Sequence, residues 1–187
     1  MISNVKVYGL DDSVKASKYP MAVEIEKCTS EITPRTKSLA GCKKGTGHDQ
    51  FLTGIIVQFD LKFTVKAWVE AERYHFFDFV SSQSTMHKIM EFDLDKSYIK
   101  WVDPRVIVIM KELVESYMAD RTEDNRLAVL YTNPVGFQLT ARMTTNYRQL
   151  KTMHDQREFH ALPEWPTFCK WIESLPHFRE LCLGDKE

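Results

Sequence analysis

Apolar and polar positions alternate most regularly between residues 55 and 63. One face of this stretch carries five apolar side chains: Ile55, Val57, Phe59, Leu61 and Phe63. The intervening positions 58, 60 and 62 are polar or charged. A period of two with one polar face predicts a half-buried strand in an antiparallel sheet. A shorter alternation from Val5 to Leu10 predicts a second strand, which ends at a turn or a helix cap.

Apolar residues spaced three or four positions apart predict helices after the long strand and in the second half of the chain. Thr64 can cap a helix that we expect to run to about residues 79–80. Asp103-Pro104 is a typical helix start, because an acceptor side chain precedes a first-turn proline. The apolar stripe that follows predicts a helix that ends near Ala119.

A later helix is predicted from Asn146 to about Phe159, with one of the two threonines at 144 and 145 as its cap. Positions 146, 150, 153 and 157 share one face of this helix, so Arg157 would lie on a largely apolar side. A guanidinium on such a face needs a ligand or a buried partner. We therefore expect Arg157 either to bind a ligand or to form an ion pair, for which Glu164 is within reach.

Two or three strands among several long helices predict an α+β fold with a small antiparallel sheet. The 187 residues are expected to form a single domain, 1–187, because domains span roughly 100–200 residues. A net charge of −1 disfavours binding to nucleic acid or to an anionic membrane. Dispersed cysteines, with no signal-peptide pattern and no long apolar run, favour a cytoplasmic protein with reduced thiols and no membrane helix.

Several common site motifs are missing from the sequence. It contains no P-loop, no G-x-G-x-x-G turn and no G-x-S-x-G nucleophile elbow. Its six histidines include no pair at the spacing of a metal-binding helix. We therefore expect no metal site.

The stretch 47–84 joins, in order, the loop GHDQFL, the long strand, a helix, the triplet Tyr74-His75-Phe76 and the pair Gln83-Ser84. In this order and without a gap, it resembles the core of the flavin-dependent thymidylate synthases. That family has a Gly-His loop, a strand and a helix, followed by an Arg-His-Arg signature. Seven residues lie between this signature and a serine. The serine position corresponds to Ser84.

A second block of the sequence supports the same resemblance. Residues 146–148, Asn-Tyr-Arg, match an Asn-x-Arg triplet that opens a helix in the family. Arg157 matches an arginine eleven residues after that asparagine, and Asn133-Pro134 stands where the family has a leucine–proline pair. The two blocks, about 47–87 and 134–165, cover a little under half of the chain.

The resemblance implies an enzyme that binds FAD at the subunit junctions of a homotetramer. Such an enzyme methylates dUMP reductively, with methylenetetrahydrofolate and NADPH as co-substrates. The residues at flavin-contact positions are His48, His75 and Asn146. The residues at positions that hold the pyrimidine nucleotide are Gln83, Ser84 and Arg157. Ser84 and Arg157 also take the places of the family's catalytic groups.

The sequence departs from the family at four arginine positions, which are occupied by Tyr74, Phe76, Met86 and Leu130. A charge-assisted hydrogen bond contributes about 1.5–3 kcal/mol. Loss of two phosphate-binding arginines would therefore weaken nucleotide binding by about 10²- to 10⁴-fold. The rings of Tyr74 and Phe76 could stack on a planar ligand or pack in the core.

Three interpretations remain open from the sequence. In the first, a divergent flavin-dependent protein transfers one carbon to, or binds, a pyrimidine nucleotide such as dUMP or a related planar ligand. In the second, a catalytically degenerate homologue serves as a nucleotide-binding or structural module. In the third, the resemblance is accidental and the chain is an α+β domain of another role. Basic residues that could replace the missing arginines are Arg73, Lys88, Arg126 and Arg142.

Overall fold

A four-stranded antiparallel sheet lies at the centre of the structure, a computed structural model that describes residues 2–43 and 45–184. In spatial order its strands are β1 (Ile2–Tyr8), β2 (Ile56–Thr64), β4 (Gln138–Asn146) and β3 (Asp78–Ser82). The longest pairing joins β2 to β4, from Ile56 opposite Asn146 to Thr64 opposite Gln138. All the strand pairs of this sheet are antiparallel, which together with the helices confirms the predicted α+β class.

Eight α-helices accompany the sheet within the described residues. They are α1 (Leu10–Ala16), α2 (Pro34–Ala40), α3 (Val65–Ala71), α4 (Thr85–Lys88), α5 (Pro104–Ala119), α6 (Glu123–Thr132), α7 (Tyr147–Arg157) and α8 (Glu164–Ile172). A π-helical turn, Arg179–Leu183, follows α8. Across the described ranges, no helix combines the length and the apolar character that crossing a membrane requires.

The alternation predicted for residues 55–63 is confirmed. All five apolar side chains of that face are buried, at 0–2% exposure. Burial of a large apolar side chain contributes about 1.5–3 kcal/mol, so this face is a principal source of the fold's stability. Phe59 at its centre contacts α8, with ring centroids 5.9 Å from Phe168 and 4.5 Å from Trp171.

A second apolar cluster lies between α5, α6 and the segment before α5. Its members with no exposure are Ile89, Met110, Val129 and Phe137. The predicted start and end of α5 are confirmed, because the helix begins at Pro104 and ends at Ala119. The Asp103 carboxylate accepts a hydrogen bond from the Arg105 backbone N–H at 2.9 Å, as expected of a cap.

The helix after Thr64 is shorter than the sequence predicts. Thr64 does cap it, since its hydroxyl accepts from the Ala67 backbone N–H at 3.1 Å. However, α3 ends at Ala71, and the prediction that the helix runs to residues 79–80 is wrong. The segment 78–82 instead pairs with β4 as strand β3. This long-range pairing provides hydrogen bonds that a local pattern does not reveal.

The start of α7 also differs from expectation. Thr144 and Thr145 lie inside β4, so neither caps α7 as the sequence predicted. The cap is Asn146, whose Oδ1 accepts from the Gln149 backbone N–H at 2.9 Å. Strand β4 was not predicted at all. The buried face predicted for α7 is confirmed, because Asn146, Leu150, Met153 and Arg157 are each at most 7% exposed.

Candidate functional site

Arg157, in the last turn of α7, is buried among aromatic rings. Its Nε donates to the Tyr74 hydroxyl at 2.6 Å, and its Nη1 donates to Glu70 Oε2 at 3.0 Å. The guanidinium carbon lies 4.8 Å from the centroid of the Trp165 ring and 5.5 Å from that of Tyr74. Glu70, Tyr74 and Trp165 thus surround the guanidinium group of Arg157. Within the protein, Arg157 therefore has a charge partner and two ring contacts.

The ion-pair partner of Arg157 is Glu70, and the expectation that Glu164 would take this role is wrong. Glu164 is engaged elsewhere, because its Oε1 accepts from the Thr64 hydroxyl at 2.6 Å. Glu70 lies in the last turn of α3, within the part of the predicted helix that the structure confirms.

Glu70 is the centre of a group of donors and cations. Its Oε2 accepts from the Trp165 indole N–H at 3.0 Å and lies 3.4 Å from His160 Nε2. Its Oε1 lies 3.5 Å from Lys66 Nζ. Burial acts to raise the pKa of the Glu70 carboxyl. The Trp165 hydrogen bond and the charges of His160, Arg157 and Lys66 outweigh burial and hold this pKa below its ordinary value.

The triplet Tyr74-His75-Phe76 divides between core and surface. Tyr74 is 8% exposed and packs edge-on against Trp165, with ring centroids 6.0 Å apart. His75 is exposed, and Phe76 is 66% exposed with a φ of 61°. A left-handed conformation is unusual for a bulky residue and marks a tight turn. Of the two aromatic rings at signature positions, one therefore belongs to the core and the other is available at the surface.

A cleft of about 420 Å³ opens at the N-terminus of α7. It is called the α7 cleft below, and its walls come from three separate segments of the chain. The loop 45–53 contributes Gly45 and Asp49, the signature contributes Phe76, and the helix start contributes Asn146 and Arg148. Phe76 also borders an adjoining open cleft of about 620 Å³ that includes His75. The two clefts meet at Phe76.

The α7 cleft has a positive electrostatic balance. The buried Asp49 accepts from Arg148 Nε at 3.0 Å and lies 3.8 Å from Lys151 Nζ. Arg148 Nη1 also donates to Gln50 Oε1 at 2.8 Å, and Lys151 Nζ donates to the Ala40 carbonyl at 2.5 Å. Two cations and one carboxylate beside a helix N-terminus favour an anionic group, such as a phosphate.

The other residues expected at the site lie in different places. His48 is exposed in the loop next to Asp49. Gln83 continues the pairing of β3 with β4: its Oε1 accepts from the Thr140 N–H at 2.9 Å and its own N–H donates to the Thr140 carbonyl at 3.0 Å. Ser84 is partly buried before α4 and makes no side-chain cap bond.

One chain therefore brings together only part of the expected set. The loop at His48 and the cap Asn146 meet at the α7 cleft. Thr140, the partner of Gln83, lies six residues from Asn146 along β4, or about 20 Å at ~3.3 Å per residue. Arg157 lies eleven residues from Asn146 along α7, or about 16 Å at ~1.5 Å per residue.

Two residues of this region were not singled out from the sequence. Asp49 is 4% exposed and orients both cations of the α7 cleft, and Glu70 holds Arg157. Asp49 follows His48 directly, so its position in the loop was the available signal. For Glu70, the signal was its place one helical turn before Tyr74.

A cluster of His154, Glu158 and Glu173 brings one ligand atom from each residue within 4.8 Å of the others. His154 Nε2 lies 2.9 Å from Glu173 Oε1, and Glu173 also forms an ion pair with Arg179. Since the charge of Glu173 is already balanced by Arg179, these contacts are accounted for as an ion-pair cluster.

Comparison with known proteins identifies the fold. No family profile and no curated protein sequence matches the chain. A crystal structure of the flavin-dependent thymidylate synthase ThyX from Helicobacter pylori, complexed with FAD and dUMP, matches with a TM-score of 0.73. The match covers 98% of this chain and 98% of that chain, at 16% sequence identity. The chain has the flavin-dependent thymidylate synthase fold.

A second structure agrees. Thymidylate synthase X (ThyX) from Helicobacter pylori, with FAD and dUMP, matches with a TM-score of 0.72 and 16% identity, over 99% of this chain and 98% of that chain. The similarity extends well beyond the two blocks in which the sequence resembles the family. It confirms the fold that the sequence resemblance implies.

Proposed function

We propose that the protein binds a flavin at the α7 cleft and a pyrimidine nucleotide beside it. The observation that supports this most directly is the meeting of three separate segments at one cleft: the loop at His48, the exposed ring of Phe76 and the helix start at Asn146. Each of these segments corresponds to a part of the family pattern. Both matched structures hold FAD and dUMP.

The residues of the α7 cleft fit a flavin cofactor such as FAD. Arg148 and Lys151 would hold phosphate oxygens together with backbone N–H groups at the start of α7. The exposed ring of Phe76 would stack on the planar ring system, and Asn146, His48 and His75 would donate to its polar edge. A bound flavin supplies hydride and electron transfer, which none of these side chains provides.

Homo-oligomerisation, with a tetramer as the expected state, is part of the proposal. Gln83 and Ser84 are proposed to bind the nucleotide, but the ladder of β4 separates Gln83 from Asn146 by about 20 Å. A flavin in the cleft of one subunit would therefore meet the Gln83-Ser84 segment of another. On this view the complete site forms only between subunits.

The proposed reaction is reductive one-carbon transfer to a pyrimidine nucleotide such as dUMP, with NADPH and methylenetetrahydrofolate as co-substrates. In it, Ser84 would bind and polarise the substrate and Arg157 would hold the uracil ring. The second candidate function is a nucleotide-binding module without this chemistry. A specific observation favours it, because the Arg157 guanidinium is already bound by Glu70 and Tyr74.

Flavin binding is tested by titrating the purified protein with FAD and following the flavin fluorescence. Asn146→Ser keeps a capping side chain but removes the amide, and we expect it to weaken FAD binding at least fivefold. Thr122→Ser, an equally conservative change at the cap of α6, should leave FAD affinity unchanged. A wild-type protein that takes up no FAD would refute the flavin part of the proposal.

The two candidates separate in a product assay on the FAD-loaded protein. Incubation with dUMP, methylenetetrahydrofolate and NADPH, followed by chromatography, gives dTMP if the protein is an enzyme. If calorimetry detects dUMP binding but no dTMP forms, the protein is a nucleotide-binding module without the enzyme's chemistry. Neither binding nor product would reject the nucleotide part of the proposal.

A further inference from the structure

A second cavity lies at the end of the sheet opposite to the α7 cleft. Its volume is about 320 Å³, within the rough range of 300–1,000 Å³ for small-molecule pockets. It lies where β2 ends and β4 begins, near Phe63 and Gln138, and it is called the α8 cavity because residues at the start of α8 line it. Gln138 and Asn146 are eight residues apart on β4, so about 26 Å separates the two sites.

The α8 cavity has an apolar side that is partly aromatic. Phe63 and Phe168 form its buried side, and Ile99 and Pro163 flank it. Trp101 stands at the rim with 62% of its surface exposed. Aromatic rings in the lining favour a planar ligand, since offset or edge-on ring contacts are the preferred aromatic arrangements.

A carboxylate is held in place at the edge of this apolar cavity. The Thr64 hydroxyl accepts from the Ala67 N–H and donates its one proton to Glu164 Oε1 at 2.6 Å. Within the described ranges, Glu164 Oε2 has no protein hydrogen-bond donor. Glu164 therefore presents a fixed acceptor to a ligand in the cavity.

The remaining polar groups of the cavity define the charge of the ligand. Lys62 and Gln138 are also among the lining residues, and their side chains carry an ammonium and an amide, opposite in character to the Glu164 carboxylate. One positive and one negative side chain favour a neutral ligand with both donors and acceptors. A carboxylate in the first turn of a helix is favourable, so the α8 dipole stabilises the charge of Glu164. This interaction does not explain why an apolar cavity lies beside the carboxylate.

We propose that the α8 cavity binds a neutral, planar nitrogen heterocycle that bears an amino group. The amino N–H donates to Glu164, ring nitrogens accept from Lys62 or Gln138, and the ring lies against Trp101 and Phe63. Within one chain this site lies about 26 Å from the α7 cleft, and the proposal does not depend on the proposed function.

The test uses 2-aminopyrimidine as the probe, added to uniformly ¹⁵N-labelled protein and followed by amide and indole chemical shifts. We expect saturable shifts at the Trp101 indole and at the backbone of Ile99 and Thr167, with a dissociation constant of about 1 mM or below. Pyrimidine, which lacks the amino group, should bind at least fivefold more weakly. Shifts that do not saturate, or that lie away from these residues, would overturn the proposal.

Amino-acid substitutions test which residues of the α8 cavity contact the probe. Glu164→Gln should weaken 2-aminopyrimidine binding about tenfold, because a charge-assisted acceptor is lost. The matched change Glu158→Gln, on a carboxylate outside the cavity, should have no effect. Thr167→Trp, placed at the rim, should block binding and keeps the test decisive if Glu164→Gln does not fold. Unchanged affinity in folded Glu164→Gln or Thr167→Trp would also overturn the proposal.

Discussion

Tyr74 and Arg157 satisfy each other in the core: the guanidinium Nε donates to the phenol oxygen at 2.6 Å and lies beside its ring. In the sequence resemblance, residue 74 takes the place of the first signature arginine, and residue 157 that of an arginine expected to hold the nucleotide. Within this chain, the side chains at these two positions bind each other.

Removal of the Tyr74 hydroxyl leaves a buried donor without its partner. Tyr74→Phe should lower the free energy of unfolding by about 1–3 kcal/mol, measured by urea denaturation. Tyr131→Phe is the control, because Tyr131 is 86% exposed, and it should change stability by less than about 0.5 kcal/mol. Equal stability of wild type and Tyr74→Phe would show that Arg157 does not depend on this bond.

The pH dependence of stability should contain a contribution from Glu70. Its folded-state pKa lies below the ordinary value of 4.5, so its ionised form stabilises the protein at higher pH. That stability is lost as the pH falls below about 4.5 and through the lowered folded-state pKa.

Glu70→Gln should therefore destabilise the protein at pH 7 by about 2 kcal/mol or more. Its unfolding free energy should converge with that of wild type as the pH falls. Glu115→Gln, at an exposed position of α5, should show neither effect. A constant difference between wild type and Glu70→Gln from pH 7 to pH 3 would contradict the proposed origin of the shift.

The four cysteines should divide into two reactivity classes. Burial, helped by the carboxylates of Glu158 and Glu173, raises the pKa of the Cys169 thiol to about 12, and burial raises that of Cys182 to about 12. Because the thiolate is the reactive form, neither should react with Ellman's reagent at pH 8 in the native protein. Cys28 and Cys42 are partly exposed and should react. Ellman's reagent should then detect two thiols in the native protein and four in the urea-unfolded protein. Four reactive thiols in the native protein would show that Cys169 and Cys182 are not buried.

Substitutions at two glycines with similar backbone angles should distinguish the cost of a left-handed backbone from the cost of a steric clash. Gly9 and Gly47 have φ values of 70° and 77°, but a Cβ on Gly9 would lie 2.6 Å from the Gly54 carbonyl oxygen, whereas one on Gly47 would meet nothing within 4 Å. Gly47→Ala should cost about 1 kcal/mol for its left-handed backbone. Gly9→Ala should cost at least about 1 kcal/mol more, by thermal or urea unfolding. Equal costs would mean that the approach of Gly9 to Gly54 is easily relaxed.

The sequence predicted the elements whose pattern is local. Strand β2 and the buried face of α7 follow from periodicities of two and of three to four, each visible within about ten residues. Strands β3 and β4 could not be predicted in this way, because β3 is exposed on all five residues and depends on pairing with β4, about 60 positions away. The helix expected to run to residues 79–80 failed for the same reason.

The contacts of the candidate site residues could not be predicted from the sequence. The resemblance singled out His48 and Asn146, and in the structure the loop that contains His48 and the helix cap Asn146 both border the α7 cleft. It gave no information on Glu70, because the contact with Arg157 joins side chains 87 positions apart in the sequence. Whether a polar residue faces a ligand or a buried partner depends on such long-range contacts, which the residue types alone do not determine.

The single carboxylate of Glu70 limits which side chains position 74 can hold. Arg157, His160 and Lys66 already surround it, so Tyr74→Arg would bring a further basic group to one negative charge. An arginine at this buried position would lack a partner of its own and should destabilise the protein. The core contacts of α3 and α7 therefore restrict the choice of residue at position 74 independently of any ligand.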